Sequence, residues 1–191
     1  MGKARSGKDT AGQRLCQNWN FTRLAFADPL KRMALQINPY VPTGYGVTVR
    51  LEALIADVGW ERAKEDYPEV RHILQNTGQT VREHDEDFWV RVLMAKVRAA
   101  EKWNMPVVVT DVRYRNEALT LREHGFRLVR VKRPATTKHV INGLKPLRAR
   151  FLTDRHVSET ELDDFTADET LINGGSVFDL HTLADGLVRA R

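Results

Sequence analysis

Gly2-Lys3-Ala4-Arg5-Ser6-Gly7-Lys8-Asp9-Thr10 places a lysine directly after the second of two spaced glycines. This is the G-x-x-x-x-G-K spacing of a phosphate-binding loop. Without Cβ atoms, Gly2 and Gly7 can take positive φ and let the backbone wrap closely around an anion. Successive N–H groups then point inward, and the helix that follows adds the partial positive charge of its first turn. Lys8 supplies a point charge for the β- and γ-phosphates of a nucleoside triphosphate. Asp9 stands where the common motif has Ser or Thr, and Thr10 comes next. Both suit a helix start, and either could hold a magnesium ion through a hard oxygen. The plainer alternative is a disordered basic terminus, against which the helical pattern from Thr10 to about Trp19 argues. Only Met1 precedes Gly2, so the strand that should lead into the loop has no room.

Working outward, strand and helix signals alternate. Residues 21–25 read as a short strand, and Asp28-Pro29 as a helix start with Asp28 the cap. Pro39, Pro42, Gly44 and Gly46 predict a loop over 38–48. Helical patterning covers about 51–58, 60–64, 69–78 and 87–102. The run Val107-Val108-Val109 predicts a central parallel strand buried on both faces. A helix over 116–124 ends at Gly125, a strand follows at 126–132, another at 169–172, and a final helix begins at about 177. This alternation predicts an α/β fold with helices on both sides of a mostly parallel sheet.

The chain of 191 residues is most economically one domain. At 42% hydrophobic and 29% charged, its composition is that of a globular protein with a core. No apolar run reaches membrane-spanning length, and no secretory pattern follows the basic N-terminus. The single cysteine, Cys16, leaves no internal disulfide and fits a reducing cytoplasm. The net charge of +5 points to anionic partners. Because the arginines are interleaved with acids, discrete phosphate sites fit better than a continuous nucleic-acid stripe.

Chemistry-bearing residues gather in three further places. Asp111 sits at the carboxyl end of the expected central strand, where open α/β sheets place ligands, and Arg113 and Glu117 follow it. The competing reading makes Asp111 a helix cap and Arg113–Glu117 an ion pair. Arg71, Gln75, Gly78, Gln79 and Arg82 surround the expected end of one helix, and Trp89 begins the next. Arginine forks match phosphate oxygens and an indole can cover a base, while the bland reading is a solvated face beside a core tryptophan. Lys31 is ambiguous in the same way. Arg148, Arg150 and Arg155 crowd a basic stretch that could close over a triphosphate or simply be solvated. His156, Ser158 and Glu159 receive no role.

Taken together, the chain resembles the phage-type deoxynucleoside monophosphate kinases of the P-loop nucleotide-kinase superfamily. The residues that carry the resemblance are Arg5-Ser6-Gly7-Lys8-Asp9-Thr10, Ala27-Asp28-Pro29-Leu30-Lys31, Leu74-Gln75-Asn76-Thr77-Gly78-Gln79, Phe88-Trp89-Val90 and Thr110-Asp111-Val112-Arg113-Tyr114-Arg115-Asn116-Glu117. Arg130-Val131-Lys132-Arg133-Pro134 and His156-Val157-Ser158-Glu159 add weaker support.

The resemblance implies a three-layer kinase fold and transfer of the γ-phosphoryl group of ATP to a deoxynucleoside 5′-monophosphate. Gly7, Lys8, Asp9 and Thr10 would hold ATP, with magnesium at Asp9 and Thr10 and with Arg148 and Arg150 closing from a lid over about 134–157. Lys8, Arg5, Asp111 and Arg113 would act in catalysis. Lys31, Arg71, Gly78, Gln79, Arg82, Trp89, Asp111, Arg113 and Glu117 would bind the monophosphate, within a single domain whose acceptor region spans about 37–104. The setting implied is the cytoplasm of a phage-infected bacterial cell, with small-molecule partners, neither membrane nor nucleic acid, and room for a homodimer.

The departure is the first strand, which in this superfamily lies between the strands expected at 107–111 and 127–132. Leaving its slot empty would orphan backbone groups at roughly 1–3 kcal/mol each. Residues upstream of Met1, a partner's strand, or direct pairing of the flanking strands could fill it, the first being favoured. Other readings are a kinase for another phosphorylated acceptor, such as phosphomevalonate, and a nucleic-acid-binding NTPase or nucleotide sensor.

Overall fold

The computed structural model describes residues 1–3, 5–134 and 161–189. The chain is mixed α/β. In order, it runs through α1 (Lys8–Trp19), β1 (Thr22–Leu24), α2 (Ala27–Ile37), β2 (Tyr40–Gly44) and β3 (Val47–Arg50). It continues with α3 (Leu51–Asp66), α4 (Pro68–His84), α5 (Phe88–Glu101), β4 (Val107–Val109) and α6 (Arg115–Glu123). Last come β5 (Val129–Lys132), β6 (Glu169–Ile172) and α7 (Val177–Arg189). Two compact units form: Met1–Leu24 with Arg98–Arg191, and Ala25–Val97. No helix among the described residues is long and apolar enough to cross a membrane. Of the lid expected over about 134–157, all but Pro134 lies outside the described residues, Arg148, Arg150, Arg155 and His156 included, as do Ser158 and Glu159.

In the first unit, β1 pairs in parallel with β4, Thr22 opposite Val107 and Leu24 opposite Val109. β5 pairs in parallel with β6, Val129 opposite Glu169 and Lys132 opposite Ile172. Among the described residues the expected continuous sheet is therefore two parallel pairs. The strand expected to be buried on both faces is short, and all three of its valines are half-buried. α1 packs against both pairs because its inner face is small. Ala11 joins Val131, Leu171, Leu180, Ala184 and Leu187 in one apolar cluster. A Cβ on Gly12 would come within 2.4 Å of Thr110 Cγ2, just beyond β4.

Met1 lies alongside β5. Its α-amino group donates to the Val129 carbonyl at 2.6 Å, and Val131 N–H donates to the Met1 carbonyl at 2.9 Å. These two bonds flank Arg130 as a parallel neighbour's would. Burial lowers the pKa of that amine to about 5, with Lys8 and Arg130 acting in the same direction and Asp111 opposing them.

Two ionic devices hold the unit together. Arg14 Nε and Nη2 on α1 donate to the two Asp185 oxygens on α7 at 2.9 and 2.8 Å, and Trp19 Nε1 donates to the same carboxylate at 2.8 Å. The second is a set of three arginines on the stretch 161–168. Arg115 bonds Glu161 and Asp164, and Arg122 bonds the Thr166 carbonyl and Asp168. Arg130 donates to the carbonyls of Leu162, Asp163 and Phe165.

The Asp185 pairing has a measurable consequence. Hydrogen bonds from Arg14 first, then Trp19, hold the Asp185 carboxyl down to about 2, against an ordinary value of 3.8. A depressed carboxyl contributes stability that is fully present above its unfolded value and is lost as pH falls through its folded one. Asp185→Asn is expected to lower Tm at neutral pH. Thermal melts should show the gap to the parent closing as pH drops from about 4 toward 2.

The second unit differs from expectation in three places. The loop predicted over 38–48 is an antiparallel hairpin, β2 with β3, Tyr40 opposite Arg50 and Val41 opposite Val49. Val41, Val47 and Val49 favour extended backbone, and the glycines supply only the turn, Gly44 at φ 112° and Gly46 at φ 76°. α2 begins at Ala27 with Phe26 as its cap residue, so Asp28 lies in the first turn and is not the cap. α4 runs on to His84, which puts Gly78, Gln79 and Arg82 inside a helix and not around its end. The glycine is tolerated there because Leu30 Cδ2 of α2 would lie 3.3 Å from a Cβ at position 78. Ala34, Val41, Leu51, Leu54, Ala63 and Val70 form this unit's core.

Candidate functional site

The loop ahead of α1 turns left-handed repeatedly: Gly2 has φ 138°, Arg5 φ 59° and Gly7 φ 104°. Each positive φ reverses the direction of the following amide, which is how a run of N–H groups comes to face one point. Ser6 N–H donates to the Lys3 carbonyl at 3.2 Å. Asn173, just beyond β6, donates its amide Nδ2 to the Ser6 carbonyl at 2.9 Å. A Cβ at Gly7 would meet that Nδ2 at 2.6 Å and Leu180 Cδ2 at 2.8 Å, so only glycine fits. The first turn of α1 has no side-chain cap. Ser6 Oγ is buried with no hydrogen-bond partner among the described residues. Lys8 Nζ folds back onto the Lys3 carbonyl at 2.8 Å.

Charges from the neighbouring Asp9 and from the segment after β4 act on Lys8. Burial lowers its pKa below 10.5, Asp9 opposes that shift, Arg113 adds to it, and Asp111 opposes it. Of the expected site residues, Asp9, Asp111 and Arg113 therefore act on Lys8 through their charges. Thr110, the residue before Asp111, has its buried Oγ1 likewise without a partner among the described residues. Glu117 is 1% exposed. Its Oε2 accepts the N–H groups of Arg113 at 2.8 Å and Tyr114 at 3.2 Å. It therefore shapes the turn that carries Arg113 and does not offer its carboxylate to a ligand. Arg5 and Asp9 are exposed, and Thr10 is half-buried.

The remaining expected residues lie in the second unit. Lys31 Nζ sits 5.4 Å from the centre of the Trp60 ring. Arg71, exposed on α4, donates Nε to the Lys64 carbonyl at 2.6 Å. Gln79 Nε2 reaches Glu83 Oε1 at 3.5 Å, and Arg82 is half-buried on the same helix. Trp89 corrects the expectation of a ring offered to a base. It is 2% exposed, packs edge-on to Phe88 at 4.9 Å, and donates Nε1–H to the Gly78 carbonyl at 3.2 Å. Together Gly78 and Trp89 lock α4 to α5.

Sequence reasoning missed Ser6, Thr110 and Asn173, whose roles arise from burial and from contacts distant in the chain. It also missed Trp60, which a run of alternating helical signals around Gly59 had hidden.

A mixed α/β chain with an anion-suited loop at a helix head is what fold and geometry define. No family model matches it. A protein of Acanthamoeba polyphaga mimivirus, described as "Putative deoxynucleotide monophosphate kinase", is 27% identical over 198 residues, covering 95% of this chain and 90% of that protein. "Uncharacterized protein ORF77" of Ictalurid herpesvirus 1 (strain Auburn) is 30% identical over 131 residues, covering 64% of this chain and 52% of that protein.

Proposed function

We propose that this protein transfers the γ-phosphoryl group of ATP to a deoxynucleoside 5′-monophosphate, releasing ADP and the diphosphate. The observation that carries this reading is the left-handed loop at the head of α1, whose partly desolvated Lys8 is acted on by the charges of Asp9, Arg113 and Asp111. A triphosphate suits that loop: the first helical turn lacks a side-chain cap, and the partnerless Ser6 Oγ is a buried group that a phosphate oxygen would satisfy. Magnesium suits Asp9 and Thr10, which offer hard oxygens. This ion keeps waters and phosphate oxygens as most of its ligands and needs few from protein. When bound, it supplies charge neutralisation at the phosphates.

The chain's own residues do the rest. Lys8, Arg5 and Arg113 cancel the charge that develops on the transferred group, and Asp111 balances those cations and offers an acceptor to the incoming nucleotide. Lys31, Arg71, Gln79 and Arg82 take the monophosphate. Gly78 and Trp89 hold the α4 scaffold beneath them, and Glu117 holds the turn of Arg113. No covalent intermediate is required, since positioning and charge cancellation suffice for phosphoryl transfer. The likeness to the mimivirus protein supports the acceptor class.

A coupled assay of ADP release with each deoxynucleoside monophosphate tests this. Release that depends on a monophosphate and magnesium is expected. Release stimulated by DNA and indifferent to monophosphates would replace the reading with a nucleic-acid-dependent NTPase. Activity confined to another phosphorylated acceptor would keep the kinase and change its substrate.

A further inference from the structure

A buried amide from the other end of the chain presses on the loop. Asn173 follows β6 directly and is 8% exposed. Its own N–H donates to the Lys132 carbonyl at 2.7 Å, so the end of the β5–β6 pair fixes its backbone. Its side-chain Nδ2 donates to the Ser6 carbonyl at 2.9 Å, from 167 positions away in sequence. A carbonyl can only accept, which assigns the nitrogen of the amide, and not its oxygen, to that contact. The same Nδ2 would lie 2.6 Å from a Cβ at Gly7, so the amide packs against the Ser6–Gly7 peptide itself.

A trans peptide is planar, with its C=O and N–H pointing in opposite directions. Holding the Ser6 carbonyl toward Asn173 therefore aims the Gly7 N–H away from β6. Among the described residues no backbone acceptor meets that N–H. The held carbonyl is also withheld from α1. A bond to it from the Thr10 N–H would wind the helix one residue back into the loop. That bond is not formed, and the helix ladder starts with the Ala11 N–H donating to the Gly7 carbonyl at 2.9 Å. On the same held residue, Ser6 Oγ is buried and without a partner among the described residues.

We infer that Asn173 is a positioning residue for the triphosphate: by holding the Ser6 carbonyl sideways, it keeps the Gly7 and Thr10 N–H groups turned to the anion. This rests on the reading of the loop as the ATP site. The Asn173 side chain acts through the Ser6–Gly7 peptide and touches no substrate. Loop N–H groups hold a triphosphate in the ground state as in the transition state. Losing their alignment therefore weakens ATP binding and leaves the chemical step unchanged.

Calorimetric titration with ATP and magnesium, and separately with each deoxynucleoside monophosphate, well below the thermal transition, tests this. Asn173→Ala is expected to weaken ATP binding about three- to tenfold, the range that one hydrogen bond commands. In the kinase assay the KM for ATP should rise to match, while kcat and the monophosphate KM stay fixed. Asn173→Leu keeps the volume and removes the donor, so it should lose ATP affinity as the alanine variant does. Thermal melts accompany both, and the leucine variant decides alone if the alanine variant does not fold. Parental ATP affinity in either folded variant overturns the positioning role, because the side chain would then only fill space. Equal weakening toward ATP and the monophosphate overturns it as well, since the damage would not be confined to the loop. A parent protein that binds monophosphates but not ATP overturns the reading of the loop instead.

Discussion

Lys8→Ala is expected to lower kcat for phosphoryl transfer by about 10²–10³-fold, the cost of removing one preorganised charge from a developing anion. Lys8 is already partly desolvated, and burial lowers its pKa, so the protein spends some stability to keep this ammonium at the loop. Removing it relieves that desolvation and, among the described residues, forfeits one bond, to the Lys3 carbonyl at 2.8 Å. Tm should therefore hold or rise slightly while turnover collapses. Lys8→Arg should not rescue, because a planar fork cannot occupy the place of a compact ammonium folded onto the loop. Single-turnover kinetics with saturating ATP separates this from weakened binding. Full activity in Lys8→Ala would remove the loop from the chemistry altogether.

Gly7→Ala is expected to damage both folding and function. A left-handed backbone costs a residue bearing Cβ about 1–2 kcal/mol. Wedging that Cβ against Asn173 Nδ2 at 2.6 Å and Leu180 Cδ2 at 2.8 Å adds about 1–3 kcal/mol of overpacking. For a chain of this size each kcal/mol moves Tm by about 2–4 °C. Asn173 is the residue that must yield, and it is also the one that fixes the Ser6 carbonyl. The loop should thus lose its shape before the unit unfolds. ATP affinity is expected to fall at temperatures well below the transition, measured by titration alongside thermal melts. A Gly7→Ala protein with parental Tm would show that the loop can relax around a methyl group.

Local signals carried the parts of this molecule whose causes are local. The glycine spacing, the helix after it and the valine run of β4 are each decided within a few residues. β6 and α7 likewise fall where a four-residue strand, an Asn-Gly-Gly-Ser turn and an amphipathic stretch place them. The hairpin Tyr40–Arg50 was obscured because Pro42 and two glycines outweighed three valines, and only pairing across the turn settles that contest. α4 runs on through Gly78, where the side chain of Leu30 from another helix closes over the glycine. Trp89 reads equally well as a ligand-covering ring or a core ring, and its hydrogen bond to Gly78 together with its burial decides. Glu117 followed Arg113 at a spacing that suggested an ion pair, but its carboxylate caps backbone N–H groups instead. Convergence on Lys8 joins residues a hundred positions apart, which no periodicity encodes.

The arginine set on residues 161–168 shows how this surface can drift over generations. Among the described residues Arg130 grips three main-chain carbonyls and no side chain, so a change of letter at 162, 163 or 165 leaves the acceptors of that grip in place. The burden of inheritance falls on Arg130 itself, and on Asp164 and Asp168, the acids that meet Arg115 and Arg122. Divergent lineages should therefore keep Arg130 and the two acids, with apolar residues at the buried positions 162 and 165, while the rest of the stretch drifts.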